Sequence, residues 1–269
     1  MLRDITLGQY YQAQSPVHAL DPRTKLMGTF MYIASLFLMR NFTGYAVVVA
    51  FLFLAVSLSQ VPFGYMVRGM KAIFVLLSIT VLFNLLLTPG EALFTVWKLS
   101  VTKEGLRTAA FMGLRLSLLI IGTSLLTLTT TPNNLTDGLE KLLSPLKRLR
   151  VPVHEISMMM SIALRFIPIL LEETDKIMKA QMARGADFES GNLLHRIRSL
   201  VPLLVPLFIS AFRRANDHAM AMEARCYRGG EGRTKMKPLV YHKRDILAYM
   251  LLILYLALCV GIGRVLPLL

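Results

Sequence analysis

The sequence predicts an all-α integral membrane protein with about five transmembrane helices and three amphipathic helices on the cytoplasmic side, the last two long and crossing. Hydrophobic residues make up 55% of the 269 residues and charged residues 17%, and the mean hydropathy is +0.56. A soluble domain carries about 45 to 50% apolar and about 25% charged residues. The chain also contains several long uncharged runs, most of them close to the roughly 20 residues that cross a bilayer.

Five membrane spans are predicted in order along the chain. They are residues 24–40, 44–61, 70–88, 105–131 and 245–266. The first uncharged run is short, but the flanking Lys25 and Arg40 can extend to the two membrane interfaces, which makes a span there possible. Residues 91–104 are expected outside the membrane, where Trp97 suits an interfacial anchor.

The placement of charge predicts the orientation. The net charge is +14, and most lysines and arginines fall on one side if the N-terminus is cytoplasmic, as the positive-inside rule requires. We therefore expect a transmembrane region at 1–131, a cytoplasmic region at 132–244 and a final span at 245–266. Attraction to membrane lipid explains the basic excess, so a nucleic-acid partner is not expected.

The fourth span begins with a small residue at every fourth position. These residues are Gly105, Ala109, Gly113 and Ser117. Small side chains at this spacing allow two helix backbones to approach closely in lipid. The stripe indicates either helix packing within the chain or a docking face for another membrane subunit.

The cytoplasmic region contains three predicted helices, at 137–150, 152–184 and 192–226. The first is basic and amphipathic and is expected to lie along the inner membrane surface. Both long helices have an apolar first half and a charged second half. Two glutamates of one align with two arginines of the other, Glu172 with Arg213 and Glu173 with Arg214. The long helices could therefore cross as a complementary pair, although ordinary solvated charge is an alternative.

Both long helices end in an alanine, an arginine and a small residue. The six residues are Ala183, Arg184, Gly185, Ala224, Arg225 and Cys226. An arginine at a helix tip can bind carboxylates in two-pronged geometry, and small neighbours let it enter a narrow groove. Either arginine alone could simply interact with the helix dipole, but the recurrence favours docking. Because the second motif has Cys226 where the first has Gly185, the left-handed turn is expected later, at Gly229 and Gly230.

Methionines are concentrated in the same two helices. Seven of the 16 fall there, namely Met158, Met159, Met160, Met178, Met182, Met220 and Met222. Unbranched, polarizable side chains allow one surface to adapt to several partner shapes. Filling of the core is the alternative, particularly for Met158 to Met160.

The sequence lacks the common motifs for nucleotide binding, zinc binding and catalysis. There is no phosphate-binding loop for ATP, the five histidines are too dispersed for a zinc site, and no nucleophile or paired carboxylates stand out. The missing constellations count against an integral membrane enzyme. Arg115 is the main ionisable residue within a span and is expected to reach outward or pair locally. The scarcity of ionisable residues within the spans counts against a stand-alone channel or secondary carrier, which remains the alternative function.

Several segments closely resemble the transmembrane T component of energy-coupling factor transporters. They are residues 20–25, 135–140 and 163–168, together with the two arginine motifs. The resemblance covers essentially the whole chain. It implies a non-catalytic scaffold of an ATP-driven vitamin or metal importer, joining two ABC-type ATPases to a small substrate-binding membrane subunit, the S component.

The resemblance also implies roles for individual parts of the chain. Arg184 and Arg225, with their small neighbours, would each enter a groove on one ATPase, and the crossed helices would transmit ATP-driven motion to the S component. ATP and magnesium would be bound by the ATPases, so this chain needs no cofactor or metal. The expected location is a bacterial or archaeal plasma membrane, with the N-terminus and coupling helices in the cytoplasm. Substrate choice would belong to the S component, and the methionine-rich surface favours one scaffold shared by several.

Overall fold

The computed structural model describes residues 10–39, 41–96, 99–188, 192, 198–230, 232 and 235–265. The chain divides into two units. Of the described residues, the larger unit contains those up to Leu142 and those from Leu239 onward, and the smaller unit contains those from Leu143 to Pro238.

Helices make up most of the described chain. They are α1 (Pro22–Leu38), α2 (Phe42–Ser59), α3 (Phe63–Leu87), α4 (Lys103–Thr129), α5 (Pro132–Leu142), α6 (Val153–Ala183), α7 (Val201–Ala224) and α8 (Lys243–Val265). A 3-10 helix spans Ser144–Leu149, and two short strands are β1 (Ala92–Val96) and β2 (Leu99–Thr102). The prediction of a helical membrane protein is confirmed, with one added β-hairpin.

The hairpin lies in the segment between the third and fourth predicted spans. Its strands pair antiparallel, with Val96 opposite Leu99. The two strands contain four β-branched residues and one phenylalanine, residue types that favour strands. Trp97, the predicted interfacial anchor, lies outside the described residues.

Four described helices are long and apolar enough to cross a membrane: α2, α4, α6 and α8. Three of these coincide with predicted spans. In α3 the apolar segment is the shorter Ile73–Leu87. Helix α1 has 17 residues, or about 25 Å, which is less than the roughly 30 Å of hydrocarbon in a bilayer. Helix α6 qualifies although it was expected on the cytoplasmic side, because its first half is almost continuously apolar.

The core of the larger unit joins α1 to α4 and α8 through buried hydroxyl groups. The Tyr32 hydroxyl donates to the carbonyl of Leu118 at 2.9 Å, and the Ser35 and Tyr255 hydroxyls share a hydrogen bond of 2.5 Å. All three hydroxyl-bearing residues are buried. Because water is absent from the bilayer core, such internal pairing removes the cost of burying polar groups there.

Arg115 is held by polar groups near the end of α1 and the start of α2. Its Nε donates to the Tyr45 hydroxyl at 2.9 Å, and a terminal nitrogen donates to the Met39 carbonyl at 3.1 Å. Its guanidinium also lies 5.1 Å from the centre of the Phe111 ring. Of the two expectations for Arg115, local pairing is confirmed.

The stripe of small residues on α4 packs within the chain, against α3. Gly105 and Ala109 are buried, and a Cβ atom added to Gly105 would lie 3.0 Å from the Leu85 carbonyl. A Cβ atom on Gly113 would lie 3.1 Å from the Val81 side chain. The hydroxyl of Ser117 donates back to the Gly113 carbonyl at 2.8 Å. This geometry supports the helix-packing interpretation of the stripe over a docking face.

The predicted helix at 137–150 forms two separate elements. Helix α5 ends at Leu142, and the 3-10 helix begins at Ser144 with Pro145 in its first turn. Proline has no N–H to continue the α-helical hydrogen bonds, so the predicted single helix is broken at this point. The predicted start of the second long helix, at residue 192, falls largely outside the described residues; α7 begins at Val201.

Candidate docking site

Helices α6 and α7 of the smaller unit run antiparallel. Glu173 accepts a hydrogen bond from Arg214 at 3.0 Å, and the rings of Phe166 and His218 meet edge to face at 5.8 Å. Residues earlier in α6 therefore contact residues later in α7, which is the pattern of an antiparallel pair. The predicted pairing of the acidic and basic clusters is confirmed for Glu173 and Arg214.

The antiparallel arrangement separates the two arginine motifs. Glu173 lies about three turns before Arg184, and Arg214 lies about three turns before Arg225. The ion pair is therefore equally far from the two motif arginines along their helices. Arg165 and Arg225 line the same cleft, whereas Arg184 lies roughly 28 Å further along α6 at 1.5 Å per residue. The two arginines therefore occupy opposite ends of the pair.

The first motif ends α6 in a hydrogen-bonded turn called a Schellman motif. Gly185 adopts φ of 88°, its N–H donates to the Met182 carbonyl at 3.0 Å, and the N–H of Ala186 donates to the Gln181 carbonyl at 3.0 Å. Ala183, Arg184 and Gly185 are all exposed. The turn satisfies the last carbonyls of the helix and leaves the arginine at its tip.

The second motif ends α7 in the same turn. Cys226 has φ of 55°, its N–H donates to the Glu223 carbonyl at 2.8 Å, and the N–H of Tyr227 donates to the Met222 carbonyl at 3.0 Å. The expectation that the turn would fall later, at Gly229 and Gly230, is wrong. The paired hydrogen bonds offset the cost of about 1 to 2 kcal/mol that a left-handed conformation imposes on a residue with a Cβ atom.

The second motif also borders a cleft of about 470 Å³ between the end of α7 and one face of α6. Helix α6 contributes Met158, Ser161, Ile162 and Arg165, which share a face because their spacing follows the helical repeat. The segment from α7 contributes His218, Met222, Arg225, Cys226, Tyr227, Arg228 and Gly229.

Two glycines bring the chain back over α6 after the second motif. Gly229 adopts φ of 95°, and a Cβ atom added to Gly230 would collide with the ring of His154. Only glycine fits such a close approach without displacing the ring. Gly229 and Gly230, which were predicted to end the helix, instead allow the chain to pass close to the start of α6.

An apolar face of α7 is exposed along its first half. The exposed residues are Val201, Leu204, Val205, Phe208, Ile209 and Phe212. Their spacing of three, one, three, one and three places them along one side of the helix. Met159 on α6 is 59% exposed, while Met158 and Met160 are half-buried. Of these three methionines, one is therefore exposed and two are partly packed.

Some parts of this site were not predicted. The sequence offered one sign of the cleft, the interruption of an apolar run by Arg165. His218 and Arg228 carried no comparable signal, because their position beside Arg165 depends on the antiparallel packing of α6 and α7.

Comparison with known proteins relates the chain to transport systems. A model of the family CbiQ, described as cobalt transport protein, matches residues 13–236. The energy-coupling factor transporter transmembrane protein EcfT of Clostridium kluyveri is 57% identical over 251 residues, covering 92% of this chain and 93% of the relative. The protein of the same description from Thermosediminibacter oceani is 55% identical over 249 residues, covering 93% and 94%. That of Bacillus subtilis is 50% identical over 259 residues, covering 96% and 98%.

Proposed function

Because this chain belongs to the family of transmembrane T components of energy-coupling factor transporters, we propose that it joins two ABC-type ATPases to a small S component. Neither the family description nor the relatives' names implies a catalytic activity. The observation that carries the proposal is the pair of matching helix ends, which present Arg184 and Arg225 at opposite ends of the α6–α7 pair.

The chain's contribution to transport would be mechanical. Each arginine, with its small neighbours, would enter a groove on one ATPase and bind carboxylates there. ATP and magnesium would be bound by the ATPases, and this chain would hold no cofactor. Movement of the ATPases would displace the two tips, and α6 and α7 would carry the displacement along their length.

The S component would contact the apolar surfaces that remain exposed on these helices. Phe208 and Phe212 on α7 are 61% and 67% exposed. Met159, with its neighbours Met158 and Met160, lies at the start of α6, toward the other end of the helix pair, and would add a second contact surface. Flexible methionine side chains would let that surface adapt to different partners. This adaptability supports a scaffold that serves several S components, each supplying its own vitamin or other micronutrient. Gly105, Ala109, Gly113 and Ser117 would support the complex through packing between α3 and α4.

Charge reversal of the two arginines tests the proposal. In the complex co-expressed with its ATPases and an S component, Arg184→Glu and Arg225→Glu should each weaken ATPase attachment and reduce substrate uptake. Lys179→Glu is a matched control, because Lys179 is an exposed cation on α6 that precedes the motif. If both arginine variants retain the ATPases and support full uptake, the docking role is wrong. Uptake by the chain without ATPases would instead indicate a stand-alone carrier.

The proposed orientation places the N-terminus and the smaller unit in the cytoplasm of a bacterium or archaeon. Cys226 is exposed and Cys259 is buried, and both are free thiols. When the chain is expressed without the ATPases, which would otherwise cover Cys226, a membrane-impermeant maleimide should label this thiol in inside-out vesicles and leave it unlabelled in intact cells. Cys226→Ser supplies the background signal, and labelling of intact cells at Cys226 would reverse the orientation.

A further inference from the structure

The cleft beside the second arginine motif carries a concentration of positive charge. Arg165, Arg225 and Arg228 line it, together with His218, and the three arginines are exposed. No acidic side chain belongs to the lining within the part of the chain that the structure describes. Guanidinium groups remain charged at any physiological pH, so the cleft is a ready site for negative charge.

The shape and remaining lining of the cleft favour a protein segment. Its volume of about 470 Å³ falls in the range of pockets that enclose molecules of many atoms, about 300 to 1,000 Å³, and exceeds the need of a single anion. Ile162 and Met222 add apolar surface between the cations. A segment with carboxylates and intervening aliphatic groups would match both kinds of lining.

The two arginine motifs differ in whether a cleft lies beside them. At the first motif, a Cβ atom added to Gly185 would meet no atom of the described residues within 4 Å, and Arg184 is exposed. At the second motif, Arg225 stands at the rim of a cavity whose other cations come from α6 and from the chain after Cys226. The first end is therefore a projecting tip, whereas the second combines a tip with a receptor.

We infer that the cleft formed by Arg165, Arg225, Arg228 and His218 receives an acidic segment of the ATPase that docks at the second motif. This inference rests on the proposed function, because it takes one ATPase as the partner. It adds that recognition at Arg225 is reciprocal: the arginine enters the ATPase while acidic side chains of the ATPase enter the cleft. Arg165 and Arg228 would contribute to binding together with the motif arginine.

The test uses the full complex in lipid nanodiscs, with ATPase affinity measured over a range of salt concentrations. Arg165→Glu and Arg228→Glu should each weaken ATPase binding about tenfold or more and flatten its salt dependence, because each replaces an attractive charge by a repulsive one. Lys179→Glu should change affinity by less than about twofold, as expected for an exposed charge outside the cleft. Arg184→Glu reports separately on the first motif.

A second measurement leaves every cation in place. A photo-crosslinking amino acid at Ile162, on the lining of the cleft, should attach to an ATPase peptide that contains aspartate or glutamate. Crosslinking only to phospholipid would overturn the inference and assign the cleft to lipid headgroups. If Arg184→Glu and Arg225→Glu release the ATPases but Arg165→Glu and Arg228→Glu do not, the inference fails while the proposed function stands. If none of the four releases them, both fail.

Discussion

The carboxylate of Asp245 accepts a hydrogen bond of 2.8 Å from the backbone N–H of Asp21, across 224 positions of the sequence. Its second oxygen accepts from the N–H of His242 at 2.8 Å, which caps the start of α8. Asp21 in turn caps α1, because its carboxylate accepts from the N–H of Arg23 at 2.9 Å. A single buried aspartate therefore joins the beginnings of the first and last helices.

Replacing Asp245 with asparagine should destabilise the larger unit. The amide nitrogen cannot accept a hydrogen bond, so one of the two N–H groups loses its partner, at a cost of about 1.5 to 3 kcal/mol if it is the buried N–H of Asp21. Thermal unfolding in detergent should show a lower midpoint for Asp245→Asn. Asp217→Asn, at an exposed position on α7, should leave the midpoint nearly unchanged. Equal midpoints for both variants would contradict the joining role of Asp245.

The two helix ends should respond oppositely to exchange of their turn residues. Cys226→Gly removes the cost of a left-handed conformation and should raise the free energy of unfolding by up to about 1 kcal/mol. Gly185→Ala imposes that cost and should lower the free energy by about 1 kcal/mol. Denaturation of the purified chain measures both. Destabilisation by Cys226→Gly would show that the thiol makes a contact more important than the turn.

The close approach of α3 and α4 should make Gly105 intolerant of a larger residue. In Gly105→Ala the new methyl group would press on the Leu85 carbonyl and on the Thr102 hydroxyl that caps α4, and overpacking of this kind costs about 1 to 3 kcal/mol. Gly64→Ala is the matched control, since a Cβ atom there would meet nothing within 4 Å among the residues that the structure describes. Thermal midpoints should fall for the first variant only. A similar fall for both would show that the backbone, and not the packing, sets the response.

The ion pair between α6 and α7 should contribute modestly to stability. The Glu173 and Arg214 side chains are 26% and 39% exposed, so solvent screens the pair and its energy should be at most about 1 kcal/mol. Glu173→Arg and Arg214→Glu should each lower the thermal midpoint, and the double exchange should recover most of the loss. A double-mutant cycle that gives no coupling energy would show that the two charges act independently.

His18 should make stability depend on pH. Its Nδ1 pairs with the Ser15 hydroxyl at 2.7 Å and its Nε2 with the Tyr11 carbonyl at 2.9 Å. Because the carbonyl can only accept, Nε2 is the donor. The Ser15 oxygen also accepts from the backbone N–H of His18 at 3.2 Å, which leaves the hydroxyl proton available to Nδ1 of a neutral ring. Burial is the main cause that lowers the pKa of His18 below its ordinary 6.5, and the charge of Lys25 acts in the same direction.

The sign of the pH effect follows from proton uptake. As pH falls below about 6.5, the unfolded chain binds a proton at His18 before the folded chain does, so the free energy of unfolding decreases. The loss ends below the folded pKa, where both states are protonated. The difference in unfolding free energy between the wild type and His18→Asn should therefore change over this window and stay constant above it. A constant difference throughout would mean that His18 titrates alike in both states.

The sequence by itself determined the class of the protein and the position of its two arginine motifs. Apolar runs of the right length and the near absence of charge in them predict membrane helices, because each residue reports its own solvation preference. The repeated Ala-Arg-small pattern likewise identified two helix ends within two residues of those observed. Such features depend on neighbours along the chain and need no knowledge of the fold.

Only the tertiary structure decided how distant residues combine. The small-residue stripe allows two interpretations from the sequence, and the Leu85 carbonyl beside Gly105 favours packing against α3. The sequence did not place Cys226 in the left-handed turn, because the hydrogen bonds of the Schellman motif outweigh a preference that single residues express. The cleft of Arg165, Arg225 and Arg228 depends on α6 and α7 running antiparallel, and Asp245 reaches Asp21 only when the chain's two ends pack together. Contacts between residues far apart in sequence leave no local pattern, so packing alone creates them.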